Sequence, residues 1–537
     1  MCAAVLWAGE VSCRPGVTVR RLRLVLSVVT AAPAVAAATV AIGAPNPLND
    51  LFALGQAGGD TPAQVPWIQG KENLKTTPVV KCGPGSRKEP GVDGRVPAGS
   101  APNGLNCNIK LIAHQGTEGG FKVLRYIDAN KHECAFYDQT LMLPLNALNP
   151  GAGAEGVAVL DMSNPAHPAL TDTLTTPPML SPHESLNLSS KRGLLVAVNG
   201  NLTTEPGFVA VYDVRSDCRH PVLDSLGAYA RFGHESGFSA DGKTFYATST
   251  ALRAITAIDL TDPKNPTAVW QGNILSHGMS LSANGNRAYI ADPGYTPNQT
   301  HGGLLILDTS QIQARKPNPQ THEISRLTWP SISIPQNAIP FTENGRPYLL
   351  EIDEYNQSTL HYGGDADVVG AARIIDISNE KKPFIVSDLR LAIDQHAAHK
   401  AASGDPGASS PAQGYAAHYC NIPTPTNPKV VACSFIASGL RVFDISKLKH
   451  PKEIAYYVAP PKPRSENGYS DSDFAMSKPA FVPERREIWW SDGTSGFYVL
   501  RVAKSVWPHA RKKCATAHDC DGKGEGEDKG CDGPHDG

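Results

Sequence analysis

Short apolar stretches that end in aspartate recur along the chain, and a proline follows each of them. An apolar run of this length, bounded by turn-forming residues, is typical of a buried β-strand. Six copies share the pattern, at residues 157–161, 209–213, 255–259, 304–308, 372–376 and 440–444. A seventh copy, at 497–502, carries Arg501 where the others carry aspartate. Repetition at intervals of 46 to 68 residues indicates a repeat architecture.

The residues before each copy predict two further strands joined by a tight turn. Asp-Gly and Asn-Gly pairs between apolar runs are strong hairpin signals, and they occur at 241–242, 284–285 and 344–345. A fourth strand is expected after the proline, as at 383–389 and 451–458. Four antiparallel strands in each of seven units predict an all-β fold, a seven-bladed β-propeller of four-stranded antiparallel blades.

Closure of the ring has a candidate near the N-terminus. The seventh unit shows three strand patterns and lacks a fourth, whereas residues 108–114 form a strand pattern without a unit of its own. Open sheet edges expose unpaired backbone groups. We therefore expect this N-terminal strand to pair onto the last blade and close the propeller.

The strand–aspartate pattern resembles a known repeat family. The segments GAARIIDIS at 370–378 and GLRVFDIS at 439–446 are similar to the repeats of the LVIVD family of exported bacterial β-propeller proteins. The resemblance extends over about residues 107–503, and the last unit departs from it at Arg501. It implies a propeller and an exported protein, and it implies no substrate.

The segments outside the propeller predict export. Three arginines (Arg20, Arg21 and Arg23) precede an uncharged run at 24–44 that ends among small residues, the pattern of a signal peptide. An uncleaved membrane anchor is the alternative for residues 1–44. Residues 45–106 read as a Pro/Gly-rich extension and 504–537 as an acidic disordered tail, in which the segment from Asp519 matches a calcium loop poorly. We expect a secreted or cell-envelope protein.

The net charge and the cysteine pattern limit the kinds of partner and site that the sequence favours. The net charge is −2, so no basic surface favours nucleic acid, and any membrane contact would come from an uncleaved N-terminal anchor. None of the eleven cysteines forms a C-x-x-C pair, which argues against zinc-ribbon and redox motifs. A disulfide between Cys420 and Cys433 is predicted across a hairpin, and the other proposed pairings are Cys134–Cys218 and Cys82–Cys107. A monomer is expected.

One constellation carries candidate chemistry. In four units a histidine stands just before or within the expected first strand: His183, His234, His277 and His418. Because first strands line the channel of a propeller, these side chains are expected to converge at one mouth of it, with Glu184, Glu235, Gln336 and Asn337 as further channel-lining residues. Converging imidazoles suit a transition metal such as copper, zinc or iron. The alternative is a repeat histidine that hydrogen-bonds a neighbouring blade.

Other polar groups have simpler interpretations. The aspartate that ends each repeat is expected to cap its own turn through backbone N–H groups. Glu351, Asp353 and Glu354 are expected in a solvated loop end, with a cation site as the alternative. No G-x-S-x-G, P-loop or H-E-x-x-H motif is present. The first hypothesis is therefore a binding scaffold that takes an unidentified protein or small-molecule ligand at the channel mouth. The alternatives are a metal-dependent oxidoreductase or hydrolase on the channel histidines, and a metal-free lactonase-like hydrolase.

Overall fold

The computed structural model describes residues 65–139, 155–200, 206–250, 253–294, 302–359, 364–408, 414–463 and 471–508. Strands dominate these residues, with three short α-helices: α1 (Pro177–Leu180), α2 (Ser310–Gln313) and α3 (His396–Ala401). Two 3-10 turns lie at Gln357–Thr359 and Pro483–Arg485. Among the residues described, no helix is both long enough and apolar enough to cross a bilayer. The predicted signal or anchor and the calcium-like segment lie outside this part of the chain.

The strands form seven sheets, one for each blade, in which the four strands of the blade are antiparallel and the first of them is innermost. Three strands come first in the chain: β1 (Trp67–Gln69), β2 (Leu105–Cys107) and β3 (Ile109–Gln115). Blades 1 and 2 comprise β4 (Val123–Ile127), β5 (Glu133–Asp138), β6 (Val157–Asp161) and β7 (Ala169–Leu174), then β8 (Asn187–Ser189), β9 (Leu194–Val198), β10 (Gly207–Asp213) and β11 (Val222–Ala230). Blades 3 and 4 comprise β12 (Glu235–Phe238), β13 (Thr244–Ser249), β14 (Ala254–Asp259) and β15 (Thr267–Gly272), then β16 (Met279–Leu281), β17 (Arg287–Asp292), β18 (Gly303–Asp308) and β19 (His322–Thr328).

The remaining blades follow the same order. Blades 5 and 6 comprise β20 (Ile334–Glu343), β21 (Arg346–Glu354), β22 (Ala372–Asp376) and β23 (Phe384–Leu389), then β24 (Ala417–Asn421), β25 (Val430–Phe435), β26 (Gly439–Asp444) and β27 (Lys452–Val458). Blade 7 comprises β28 (Ala480–Val482), β29 (Glu487–Asp492) and β30 (Gly496–Val502), with β3 as its outermost strand. The predicted seven-bladed propeller and its closure by an N-terminal strand are confirmed.

Packing between blades follows from strand alternation. Neighbouring residues of a strand point to opposite faces, and Trp489 packs with the apolar residues of blade 1 while Trp490 packs with those of blade 6. Both indoles are fully buried. The two tryptophans therefore pack blade 7 against its neighbours on both sides.

The repeated aspartates cap turns. Each accepts a hydrogen bond from the backbone N–H two residues further on, at 2.8 to 2.9 Å, as predicted for Asp161, Asp213, Asp259, Asp308, Asp376 and Asp444. The Asn344-Gly345 turn is also as predicted. Its φ angles of 52° and 76° are those of the hairpin turn that asparagine and glycine favour.

The N-terminal extension binds the outer edges of two blades. Strand β1 adds in parallel to β19 of blade 4, and β2 adds antiparallel to β27 of blade 6. Its carboxylates reach buried arginines, with Glu72 on Arg373 and Glu89 on Arg441. The described part of the extension is thus bound to the propeller by strand pairing and buried ion pairs.

All three predicted disulfides are present. Cys82–Cys107 lies within the extension, Cys134–Cys218 joins blades 1 and 2, and Cys420–Cys433 joins β24 to β25. Disulfides persist in oxidising compartments. These bonds are compatible with a location outside the cytoplasm.

Candidate functional site

The four channel histidines come together at one end of the inner strands. His183 precedes β8, His234 immediately precedes β12, His277 lies two residues before β16, and His418 is the second residue of β24. The side chains of these four residues are at most 7% exposed. The structure therefore places imidazoles from blades 2, 3, 4 and 6 in one buried space.

Backbone carbonyls of neighbouring blades orient three of these rings. The Nδ1 atom of His234 lies 3.2 Å from Gly200 O, that of His277 lies 2.9 Å from Pro335 O, and that of His418 lies 2.7 Å from Met476 O. A carbonyl only accepts, so each Nδ1 carries the hydrogen and donates it. The alternative interpretation, in which a repeat histidine hydrogen-bonds a neighbouring blade, is therefore confirmed for these three rings. The bond uses only the Nδ1 atom of each ring.

The free Nε2 atoms face two carboxylates. Glu184 Oε1 lies 3.7 Å from Nε2 of His183 and 3.2 Å from that of His418, and Glu184 Oε2 lies 3.5 Å from His234 and 3.6 Å from His277. Glu354 lies 3.3 Å from Nε2 of His277 and 3.2 Å from that of His418. We call these six residues (His183, Glu184, His234, His277, Glu354 and His418) the histidine–carboxylate cluster.

The contacts inside the cluster are close without being good hydrogen bonds. His418 Nε2 and Glu184 Oε2 are both buried and have no hydrogen-bond partner. Nitrogen and oxygen ligands about 2.1 Å from a metal ion lie about 3.0 Å apart in an octahedron and about 3.4 Å apart in a tetrahedron. The observed separations of 3.2 to 3.7 Å therefore match the edges of a coordination shell.

Burial and mutual contact set the charge of the cluster. Burial lowers the pKa of His183, His277 and His234, the last to about 4. Burial alone would lower the pKa of His418 too, but the two adjacent carboxylates raise it to about 9. Burial also raises the pKa of Glu354 to about 7. At least three imidazoles are thus neutral at pH 7, as metal ligands must be.

Glu184 and Glu235 each follow a histidine directly in the sequence, but their side chains lie in different parts of the channel. His183 has a positive φ of 47° and precedes the strand, so Glu184 shares the space of its own histidine. Glu235 begins the regular strand β12, and alternation turns it away from His234. Its Oε1 atom instead lies 2.8 Å from Lys122 Nζ.

The other predicted channel residues surround Glu235. Asn337 Nδ2 donates to Glu235 Oε1 at 3.3 Å. Gln336 occupies an irregularity in the β20–β21 ladder and is fully buried. Glu235, Gln336 and Asn337 thus lie in a polar layer next to the cluster.

Sequence reasoning did not place Glu354 with the histidines, and it missed Lys122. The interpretation of Glu351, Asp353 and Glu354 as a solvated loop end was wrong, because these residues end a central strand and are 0 to 2% exposed. Asp353 accepts from Trp329 Nε1 and Arg373, whereas Glu354 turns into the cluster. Lys122 precedes the first strand of blade 1, at the place where other units carry histidine. An alignment of unit one with the others would have found it.

Comparison with known proteins supports the repeat assignment. The sequence pattern described as the LVIVD repeat matches residues 152–176. The chain contains an LVIVD repeat. This match confirms the resemblance of the repeats to the LVIVD family and indicates no activity. Comparison with curated proteins gives no match.

Several solved structures resemble the chain at low identity. The periplasmic gluconolactonase of Pseudomonas aeruginosa is 12% identical, with a TM-score of 0.47, over 67% of this chain and 91% of the other. A putative 6-phosphogluconolactonase from Bacteroides fragilis is 10% identical, with a TM-score of 0.38, over 65% and 90%. The WD40 repeats of RRP9 are 9% identical, with a TM-score of 0.42, over 76% and 99%. Likeness at this level carries no argument about activity.

Proposed function

We propose that the histidine–carboxylate cluster binds one transition-metal ion and that the protein is an exported metal-dependent enzyme. An oxidoreductase is the first candidate, and a hydrolase is the second. The observation that carries the proposal is the convergence of four imidazole Nε2 atoms on two carboxylates that they do not hydrogen-bond well. Donation from Nδ1 to backbone carbonyls, seen for three of the rings, is the usual support of metal-binding histidines.

Charge balance favours a single divalent ion. Within the described residues, Glu184 and Glu354 form ion pairs with histidines and with no lysine or arginine. In the metal-free chain their counter-cation is the protonated His418, whose pKa the two carboxylates raise to about 9, and a single imidazolium offsets only one of two buried carboxylates. One divalent metal ion, bound by neutral imidazoles, neutralises both of them.

The donor set favours iron. Within the cluster, two groups of three residues bring ligand atoms within 4.8 Å of one another: His183, Glu184 and His234, and Glu184, Glu354 and His418. The first group has two histidines and one carboxylate, the donor set typical of non-haem iron. Imidazole with carboxylate suits six-coordinate first-row metals, and soft sulfur ligands typical of copper(I) are absent from the cluster. Copper and zinc are therefore the alternatives to iron.

Such a centre would act on a small molecule in the channel. A metal ion held by the histidines and carboxylates of the cluster would supply Lewis-acid activation of water or of dioxygen. Phe121 packs against two of the ligand rings, with ring centroids 4.3 Å from His183 and 5.5 Å from His418, which shields one side of the cluster from water. The binding-scaffold hypothesis stays a prediction.

Metal analysis tests the proposal. The chain is purified without a histidine tag, reconstituted separately with iron, copper and zinc, and analysed by mass spectrometry. About one ion per chain is expected, with the tightest retention for iron, and loss of the ion in the H183A/H234A/H277A variant. Circular dichroism checks that this variant is folded.

A matched control uses a histidine far from the channel. His322 begins the outer strand β19 and is exposed, so His322→Ala should retain the ion fully. Absence of bound metal after all three reconstitutions, or equal loss in both variants, would contradict the proposal.

A further inference from the structure

A second buried layer of charged residues lies in the channel beside the cluster. Lys122 pairs in parallel register with Lys478, which lies just before β28 of blade 7. Glu184 and Glu235 form the same kind of bridge between blades 2 and 3. The charges of Lys122 and Glu235 both act on the Lys478 amine. The two lysines therefore lie in the same part of the channel.

Glu235 is already fully engaged. It accepts from Lys122 Nζ at 2.8 Å, from Met279 N at 3.1 Å, and from Asn337 Nδ2 and Tyr419 Oη at 3.3 Å each. Its single negative charge is balanced by Lys122. Among the ion pairs of the described residues, none includes Lys478. The layer thus holds two lysines and one paired carboxylate.

Gln336 is a second polar group without a good partner in this layer. Its side chain is fully buried, faces Tyr419, and neither its oxygen nor its nitrogen makes a hydrogen bond of good geometry. A buried amide that lacks partners costs about 1–3 kcal/mol. Such a group calls for a ligand or an ordered water.

Solvent reaches this part of the channel. Asn187, Ser280, Asn421 and Lys478 lie on or next to four different inner strands and are half-buried. The three neutral residues bond to the next blade, with Asn187 on Ser236, Ser280 on Asn337, and Asn421 on Pro479 O. This part of the channel is therefore polar and open to solvent. Lys478 is a cation in it that forms no ion pair among the described residues.

We propose that Lys478 binds the carboxylate of a small organic anion in the channel, with the Gln336 amide as a further partner in the same layer. That this anion is the substrate rests on the proposed function, because the reaction would take place at the neighbouring metal ion. Burial and the nearby Lys122 lower the pKa of Lys478 to about 8, so the amine is mostly protonated at pH 7. A lysine amine of this kind is a compact point charge suited to an anion.

Bromide is a direct probe of this site. Crystals of the chelator-treated protein are soaked in bromide, and anomalous scattering locates the ions. We expect a bromide within about 3.5 Å of Lys478 Nζ. The ion should be displaced by acetate and not by the neutral analogue acetamide. It should be lost in Lys478→Met and kept in Lys478→Arg, with exposed Lys264→Met as the control.

The outcomes separate this inference from the metal proposal. Bromide at surface lysines alone means an adventitious ion only and overturns the inference, as does bromide at the cluster histidines or unchanged binding in Lys478→Met. Because the protein is free of metal in this experiment, its failure leaves the metal analysis unaffected. Equally, a chain that binds no metal can still show the bromide at Lys478.

Discussion

The propeller contains two kinds of buried charge cluster, and they are balanced in different ways. On blade 5, Arg373 donates to Glu72 at 3.2 Å and to Asp353 at 3.1 Å, and also to Glu351. In the channel, Glu184 and Glu354 face only imidazole nitrogens. A guanidinium supplies its own donors and completes the first cluster within the chain. The second cluster has only the imidazolium of His418 as its cation, and we propose that a metal ion completes it.

The largest expected effect comes from the arginine-balanced cluster. Arg373→Met leaves Glu72, Glu351 and Asp353 buried without their cation, and such a loss costs about 3–5 kcal/mol of unfolding free energy. Urea unfolding measures it, and metal content should be unchanged. The matched control is Arg346→Met, because Arg346 pairs with Asp376 at 2.7 Å but its side chain is 54% exposed. That variant should lose less than about 1 kcal/mol, and equal losses would contradict the distinction.

A substitution in the histidine–carboxylate cluster should lower the affinity of the protein for the metal ion. Glu184→Gln removes the carboxylate that contacts all four imidazoles, and we expect affinity for the ion to fall about 100-fold, or about 2.7 kcal/mol. Competition with a chelator measures the change. Urea stability of the metal-free protein should stay the same or rise, since a buried carboxylate is removed. A metal-free variant that is severely destabilised would show that the cluster is structural.

Half-buried pairs should give the smallest effect, and one that depends on pH. Burial alone would raise the pKa of Asp259, but Arg315 at 2.9 Å lowers it from 3.8 to about 2. Stability from this pair is therefore present above pH 4 and is lost as the pH falls towards 2. Asp259→Asn should lose about 1 kcal/mol at pH 7 relative to the wild type and only a small fraction of that at pH 2, where about half of the Asp259 carboxyls are still ionised. A difference that does not change with pH would contradict the assignment.

The repeat pattern predicted the fold because each blade repeats the same local signals. Turn pairs such as Asn344-Gly345 and the capping aspartates depend on a few neighbouring residues, which a single sequence displays. Ring closure by β3 followed from counting strands in blade 7. The histidines were found because they occupy equivalent positions in several blades.

The rest of the site depends on contacts that sequence spacing does not show. Glu354 comes from a second strand, at a position with no counterpart in the histidine pattern, and only the ring geometry brings it to His277 and His418. Glu184 and Glu235 look alike in sequence, and the positive φ of His183 separates them. The pairing of Lys122 with Glu235 spans 113 residues.

Anomalous diffraction at a metal absorption edge is the most direct test of the central claim. Crystals of the iron-reconstituted chain should show one strong peak about 2.0–2.2 Å from Nε2 of at least three cluster histidines and from a Glu184 oxygen. The matching crystal of Glu184→Gln should show a weak peak or none. A wild-type map with no peak, in which His418 Nε2 donates a well-formed hydrogen bond to Glu184 or Glu354, would contradict the account.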